Sequence, residues 1–128
     1  IKHSPPLSGA AYKASAGAMD YVALYAVPNL SETVRAIKSK GAAVVGLDAG
    51  SKNPLSRIEG QTLVAFVLGS EGKGIRPQIK AQCNFLCSIP MKGRVGSLNV
   101  SAAAAAVCFW QSIQEEKNSR LTPSPREV

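Results

Sequence analysis

Three short runs of apolar residues constrain the fold more than any other feature of the sequence. They cover residues 42–47, 62–68 and 84–89, and each is largely apolar rather than alternating between apolar and polar positions. A further β-prone run covers residues 21–27 and ends at Pro28. Strands that are apolar on both sides are typical of a parallel sheet with both faces covered. Because helical segments separate the runs, the sequence predicts the α/β class, with a parallel sheet and helices on both faces.

Three of the segments between and after these runs are predicted to be helical. The first helix takes Ser31 as its N-cap and ends before Gly41. A short helix follows over about residues 75–82, and a long one covers residues 98–115 with Ser97 as its N-cap. The long helix is apolar around its whole circumference. This predicts that it is sandwiched inside the domain, that it packs against a second subunit, or both.

The composition narrows the class of protein. The chain has 128 residues, enough for one compact domain, and no apolar run near the roughly 20 residues that a bilayer span needs. Lys and Arg number 15 against 8 Asp and Glu, and the resulting charge of +7 favours an anionic partner such as nucleic acid. Three cysteines are too few for a disulfide framework, so we expect a reducing compartment. The polar residues 117–128 are predicted to form a disordered tail.

Two glycine-bearing loops are candidate ligand sites, because each follows the carboxyl end of a predicted strand, where open α/β sheets bind ligands. The loop over residues 69–74 matches neither a Walker A motif nor Gly-x-Gly-x-x-Gly, and a plain turn before a helix is the alternative. Within it, Glu71 would repel a phosphate, which favours a role in orienting a ligand, an arginine or a neighbouring loop. The second loop, residues 91–96, is basic. Phosphate contacts and a solvated face are the two interpretations of the cations around these loops. These cations are Lys73, Arg76, Lys80, Lys92 and Arg94.

Other residues exclude several kinds of chemistry. His3 is the only histidine, and the sequence has no Ser-His-Asp set, Cys-His set or metal-ligand cluster, so hydrolysis and metal chemistry are not expected. Cys83 and Cys87 form no Cys-x-x-Cys pair and are predicted to be buried small apolar residues. The small polar residues of the segment 97–101 either cap the long helix or suit a polar ligand such as a ribose hydroxyl.

Taken in order along the chain, three motifs resemble those of the SpoU (TrmH-like) family of RNA ribose 2'-O-methyltransferases. They are Leu68-Gly69-Ser70-Glu71-Gly72-Lys73-Gly74, Ile89-Pro90-Met91 and Ser97-Leu98-Asn99-Val100-Ser101. Two further segments resemble more closely the branch that methylates a guanosine of bacterial or organellar large-subunit rRNA. These segments are His3-Ser4-Pro5-Pro6 and Lys13-Ala14-Ser15-Ala16-Gly17-Ala18. The resemblance spans roughly residues 1–110.

The resemblance implies a methyltransferase domain over residues 1–116 with a C-terminal, SPOUT-type trefoil knot at about residues 46–115 that holds S-adenosylmethionine. By position, the implied cofactor-binding residues are Gly46, Leu47, Leu68, Gly69, Ile89, Met91, Ser97 and Leu98. It also implies a homodimer through the helix over residues 98–115, which would explain the apolar circumference of that helix. The implied location is the cytoplasm, or an organellar matrix in a eukaryote.

The implied reaction is a direct displacement in which a ribose hydroxyl takes the methyl group of the sulfonium. By position, Glu71, Ser97 and Asn99 are the catalytic residues that orient the RNA and an arginine. The residues implied to contact rRNA phosphates are Lys73, Arg76, Lys92 and Arg94.

The family's first motif, an Asn-x-Gly followed by an arginine, is absent. We therefore expect the sequence to begin after that motif, without the first strands of the domain, and to carry the cofactor knot but to be inactive by itself. A non-catalytic RNA-binding or dimerisation module of the same fold is the alternative function, and a flavodoxin-like nucleotide binder is a third.

Overall fold

A computed structural model of the protein describes residues 7–121, which contain a three-stranded parallel sheet. The strands are β1 Ala43–Leu47, β2 Val64–Val67 and β3 Phe85–Cys87, and their order across the sheet is β2-β1-β3. The central strand pairs on both sides, with Val45 opposite Phe66 and Phe85. The three main apolar runs are thus confirmed as parallel strands, each shorter than its run. The motif at residues 3–6 and the last seven residues lie outside the described part.

The segment over residues 21–27 is not a strand, so this prediction is wrong. Tyr21 ends a 3₁₀ turn, and the residues after it are irregular. The side chains of Tyr21 and Tyr25 are 92% and 85% exposed. Strand propensity reflects how well a side chain fits a pleated, half-buried surface. No strand of the described sheet pairs with this segment, so its Tyr and Val residues have no such surface to fit.

Four α-helices accompany the sheet. They are α1 Gly9–Ala14, α2 Leu30–Ser39, α3 Pro77–Lys80 and α4 Val100–Leu121, with 3₁₀ turns at Ala18–Tyr21 and Leu55–Arg57. The three predicted helices correspond to α2, α3 and α4. Since α4 continues to Leu121, the predicted disordered tail is helical over residues 117–121. Within residues 7–121, no helix combines the length and the apolar character needed to cross a membrane.

The two faces of the sheet bury two separate apolar clusters. Successive residues of a strand point to opposite faces. Val44 of β1 accordingly packs with Val34 of α2 and Ile79 of α3 on one face. Its neighbour Val45 packs with Val107 of α4 on the other face. Because both faces are covered by helices, the predicted α/β arrangement is confirmed.

The N-caps of the two longer predicted helices lie two residues away from their predicted positions. At α2 the cap is Asn29, whose side-chain oxygen accepts the backbone N–H three residues on at 3.3 Å, while Ser31 lies buried in the first turn. At α4 Asn99 takes the position predicted for Ser97, and its side-chain oxygen accepts the N–H two residues on at 2.9 Å. Asn caps helices as well as Ser does, so residue type alone does not select the capping residue.

Only one side of α4 packs against the rest of the described chain. Trp110 meets Phe66 of β2 edge-on, with ring centroids 6.4 Å apart and planes at 87°. Its neighbour Phe109 is 69% exposed, and Cys108 is exposed as well. The helix is therefore not sandwiched inside the part of the domain that the structure describes, and an apolar face is left open.

Candidate functional site

The carboxyl ends of the three strands open into one cavity of about 510 Å³. This volume lies within the range of sites that bind small molecules, about 300–1,000 Å³. Its walls come from the end of β1 at residues 47–49, the loop at 68–74 after β2, the segment at 88–91 after β3 and the segment at 96–100 where α4 begins. Segments far apart in the sequence thus meet at the edge of the sheet where open α/β folds bind ligands.

Most residues that the family resemblance assigns to the cofactor line this cavity. They are Leu47, Leu68, Gly69, Ile89, Met91, Ser97 and Leu98. Gly46 is the exception, since it is buried within β1 and is not part of the wall. A Cβ atom at Gly46 would lie 2.8 Å from Cδ2 of Leu86 and 3.0 Å from Sγ of Cys83. Gly46 therefore allows close packing inside the domain, and its assignment to the cofactor stays a prediction.

The three residues with implied catalytic roles also line the cavity, but the four implied RNA-binding residues are divided. Glu71, Ser97 and Asn99 lie on its walls. Among the cations, Lys73 lines the cavity. The other three are exposed and do not line it; they are Arg76, Lys92 and Arg94.

The loop over residues 69–74, here called the closed loop, is held by its own backbone. Ser70 and Gly74 exchange two backbone hydrogen bonds of 3.2 and 2.9 Å. Gly69 lies so close to the returning chain that a Cβ atom there would be 2.1 Å from the carbonyl carbon of Gly74. At Gly72 the chain turns with a φ of +78°, a conformation that favours glycine. The glycine cluster of the sequence is thus explained by a tight turn that its own backbone hydrogen bonds hold together.

The segment over residues 91–98 forms another part of the cavity wall and is here called the open loop. All of its residues except the half-buried Met91 are exposed. Within residues 7–121, no hydrogen bond involves this loop. It ends at Asn99, whose carbonyl accepts the N–H of Ala103 at 2.9 Å and so starts the helical ladder of α4. The open loop is therefore fixed only at its two ends.

An ion pair that the family motifs do not include lies on the cavity wall. Nζ of Lys80 donates to Oδ2 of Asp48 at 2.8 Å, and Oδ1 of Asp48 accepts the N–H of Gly50 at 3.2 Å. The hydrogen bond from Lys80 lowers the pKa of the Asp48 carboxyl. Each partner has a feature in the sequence that points to the strand ends. Asp48 directly follows a buried strand, and Lys80 is one of the five cations around the loops. Their separation of 32 residues hides the pairing.

Cys83 and Cys87 have no features of a reactive thiol. Cys87 is fully buried, as predicted, and burial raises its pKa to about 11. Cys83 is half-buried, and burial raises its pKa as well. Residues 7–121 contain no group of His, Cys, Asp and Glu that could hold a metal ion. The cavity therefore offers hydroxyl, amide, carboxylate and ammonium groups together with backbone, rather than a thiolate or a metal.

The parallel sheet, its helices and the cavity at the strand ends define an α/β domain with an open cavity at the edge of the sheet where such folds bind ligands. Comparison with known proteins identifies the particular family. The model of the SpoU rRNA Methylase family matches residues 1–109, and the chain belongs to this family.

Two relatives illustrate this membership. The chain is 40% identical over 97 residues to the TrmH-family protein YacO of Bacillus subtilis (strain 168), covering 76% of this chain and 39% of that protein. It is 37% identical over 109 residues to the 23S rRNA (guanosine-2'-O-)-methyltransferase RlmB of Nitrosomonas europaea, covering 85% of this chain and 42% of that enzyme. The chain thus spans about two fifths of the length of these relatives.

A solved structure shows the same fold. The SpoU methyltransferase AviRb from Streptomyces viridochromogenes, in complex with AdoMet, matches with a TM-score of 0.69 and 23% identity. The match covers 77% of this chain and 41% of AviRb.

Proposed function

We propose that this chain is the S-adenosylmethionine-binding portion of an RNA ribose 2'-O-methyltransferase. The observation that carries the proposal is the convergence of the three family motifs, at residues 68–74, 89–91 and 97–101, on one cavity at the strand ends. Because the chain covers only part of its relatives, methylation is proposed for the whole protein and cofactor binding for this chain.

The walls of the cavity suit the two kinds of surface that this cofactor presents. Leu47, Leu68 and Ile89 provide apolar side chains against which an adenine ring can pack. Ser97 and Asn99 provide hydroxyl and amide groups for polar parts of the molecule. The AdoMet bound to AviRb, which has the same fold, supports the choice of ligand.

S-adenosylmethionine supplies a methyl group on a positively charged sulfur. The ribose 2'-oxygen forms the new O–C bond, the electron pair of the broken S–C bond returns to the sulfur, and the hydroxyl proton leaves to a base or to water. The protein therefore has to align the hydroxyl and favour loss of its proton. We assign Glu71, Ser97 and Asn99 to the orientation of the RNA, since all three lie on the cavity wall.

We assign the RNA substrate to rRNA, with a guanosine of the large subunit as the target, on the basis of the likeness to RlmB. The exposed cations Arg76, Lys92 and Arg94, together with Lys73 at the cavity, would contact phosphates. Such contacts hold RNA without reading its sequence, and they weaken as salt concentration rises.

Two architectural features belong to the same proposal. The trefoil knot at about residues 46–115 is supported by the meeting of the closed and open loops at one cavity, as the threading of one segment past the other requires.

The homodimer through α4 is supported by the exposed Phe109 on its free face. Replacing Phe109→Glu should convert a dimer into a monomer in analytical ultracentrifugation. A wild-type chain that sediments as a monomer at all concentrations would contradict the dimer.

Titration calorimetry of the chain with S-adenosylmethionine tests the proposed function. We expect saturable binding with one ligand per chain, displaced by S-adenosylhomocysteine. ATP and FMN are the control ligands, because they would bind instead if the cavity were a general nucleotide site. Absence of binding to S-adenosylmethionine at millimolar concentration would contradict the proposal and would favour a non-catalytic RNA-binding or dimerisation module.

A further inference from the structure

We infer that the Asp48–Lys80 ion pair recognises the amino-acid end of S-adenosylmethionine, with Asp48 binding the α-ammonium and Lys80 the α-carboxylate. This inference rests on the proposed function, because it takes S-adenosylmethionine as the ligand of the cavity. It adds a recognition site that lies outside the three family motifs.

The position of the pair is the first argument. Both side chains line the cavity, and Nζ of Lys80 lies 2.8 Å from Oδ2 of Asp48. The side chains are 34% and 25% exposed, so each charge is partly shielded from water while it still faces the cavity. Charges in such positions interact more strongly with a ligand than fully exposed ones do.

The capacity for further hydrogen bonds is the second argument. A carboxylate offers about four acceptor positions and an ammonium three donors. Asp48 uses its acceptors for Lys80 and for the N–H of Gly50, and Lys80 donates to Asp48. Both groups therefore keep unused hydrogen-bonding positions.

The complementarity of charge is the third argument. An amino-acid zwitterion carries one positive and one negative group side by side, which matches a neighbouring anion and cation on a wall. The ribose diol of the same cofactor is neutral, so it offers no opposite charge to a cation at this place. The other charged residues of the cavity, Glu71 and Lys73, lie on the closed loop.

The pair is also held in place before a ligand arrives. The backbone N–H of Asp48 donates to the carbonyl oxygen of Cys87 in β3 at 2.8 Å. Lys80 is the last residue of α3, and its own N–H donates to the carbonyl oxygen of Arg76 at 3.0 Å. A preorganised pair loses little conformational freedom on binding, which favours recognition.

Two ligands separate recognition of the amino-acid end from every other effect of the pair. S-adenosylhomocysteine contains the amino-acid end, whereas methylthioadenosine keeps the adenine and ribose without it. We expect Asp48→Asn and Lys80→Met each to weaken the binding of S-adenosylhomocysteine about tenfold in titration calorimetry of the full chain. Binding of methylthioadenosine should change by less than about twofold, which also shows that the variants are folded. Glu116→Gln, which removes an exposed carboxylate on α4, is the matched control and should change neither affinity.

Three outcomes would overturn the inference. Equal weakening of both ligands would mean that the pair only shapes the cavity or contacts the ribose. Unchanged affinity for both ligands would mean that the pair does not touch the cofactor. If the wild-type chain bound neither ligand, the proposed function would fail and the inference with it, a result that differs from failure of the variants alone.

Discussion

The closed loop and the open loop line the same cavity but are built in opposite ways. In the closed loop, Ser70 and Gly74 exchange two backbone hydrogen bonds, and Gly69 lies directly against the returning chain. The open loop has no hydrogen bond to any other part of the described chain and is exposed along most of its length. Both loops carry glycines, so glycine content alone does not distinguish a rigid wall from an adaptable one.

This difference predicts different roles for the closed loop and the open loop in ligand binding. The closed loop presents a fixed surface, so a ligand that contacts it incurs little entropic cost. The open loop has to lose conformational freedom when a ligand is bound, and fixing a backbone residue costs about 1–2 kcal/mol. We therefore expect the closed loop to determine whether the cavity exists and the open loop to adapt to what occupies it.

The largest expected effect comes from adding one methyl group to the closed loop. Gly69→Ala should lower the free energy of unfolding by about 1–3 kcal/mol, because its Cβ would overlap the backbone of Gly74. It should also weaken the binding of S-adenosylhomocysteine about tenfold or more. Urea unfolding and titration calorimetry measure the two effects.

Gly96→Ala in the open loop is the matched control, since a Cβ there meets nothing within 4 Å. Its expected effect is no loss of stability, or a gain below about 1 kcal/mol through a less flexible unfolded chain. Equal destabilisation by the two substitutions would contradict the distinction between the loops.

A smaller effect is expected where the open loop meets α4. Asn99→Ala removes the N-cap and should lower the free energy of unfolding by about 1 kcal/mol. Ser97→Ala, two residues earlier, should cost less than about 0.5 kcal/mol, because no hydrogen bond of Ser97 appears within the described residues. If Ser97→Ala were the more destabilising change in urea unfolding, Ser97 rather than Asn99 would be the cap.

The smallest expected effect concerns the ion pair between Asp48, after β1, and Lys80 of α3, and it depends on pH. The pKa of Asp48 is lowered in the folded chain, so its contribution to stability is present above its ordinary value of 3.8 and is lost as pH falls through the folded value. Asp48→Asn should therefore cost about 0.2–1 kcal/mol at pH 7, and the difference from wild type should shrink as the pH falls below that value. Urea unfolding of the wild type and of Asp48→Asn at pH 7 and at a pH below 3.8 measures this difference. A difference in the free energy of unfolding that is the same at the two pH values would show that Asp48 stabilises the fold without its charge.

The sequence predicts the sheet and most of the cavity correctly for physical reasons. The apolar runs that form β1, β2 and β3 need burial on both faces, and parallel strands place their carboxyl ends at one edge. The motifs at residues 68–74 and 89–91 come directly after β2 and β3, so they lie at that edge of the sheet. The wrong strand at residues 21–27 shows the limit of local propensity, since a strand also requires a neighbouring strand with which to pair.

The details that depend on distant contacts could not be read from the sequence. Asp48 and Lys80 form their pair because the end of β1 and α3 are brought together by the fold. Gly46, assigned to the cofactor by position, lies within β1 against Leu86 and Cys83 and does not line the cavity. The N-caps differ because Asn and Ser are equally suitable and the exact start of a helix is set by its packing.

Hydrogen exchange of the chain with and without saturating S-adenosylhomocysteine tests most directly whether the two loops form one cofactor site. We expect the amides of residues 92–98 to exchange rapidly in the free chain and to become protected when the ligand is bound. We expect the amides of Ser70 and Gly74 to be protected already without the ligand. Exchange over residues 92–98 that stays unchanged at saturation would show that the open loop is not part of the cofactor site.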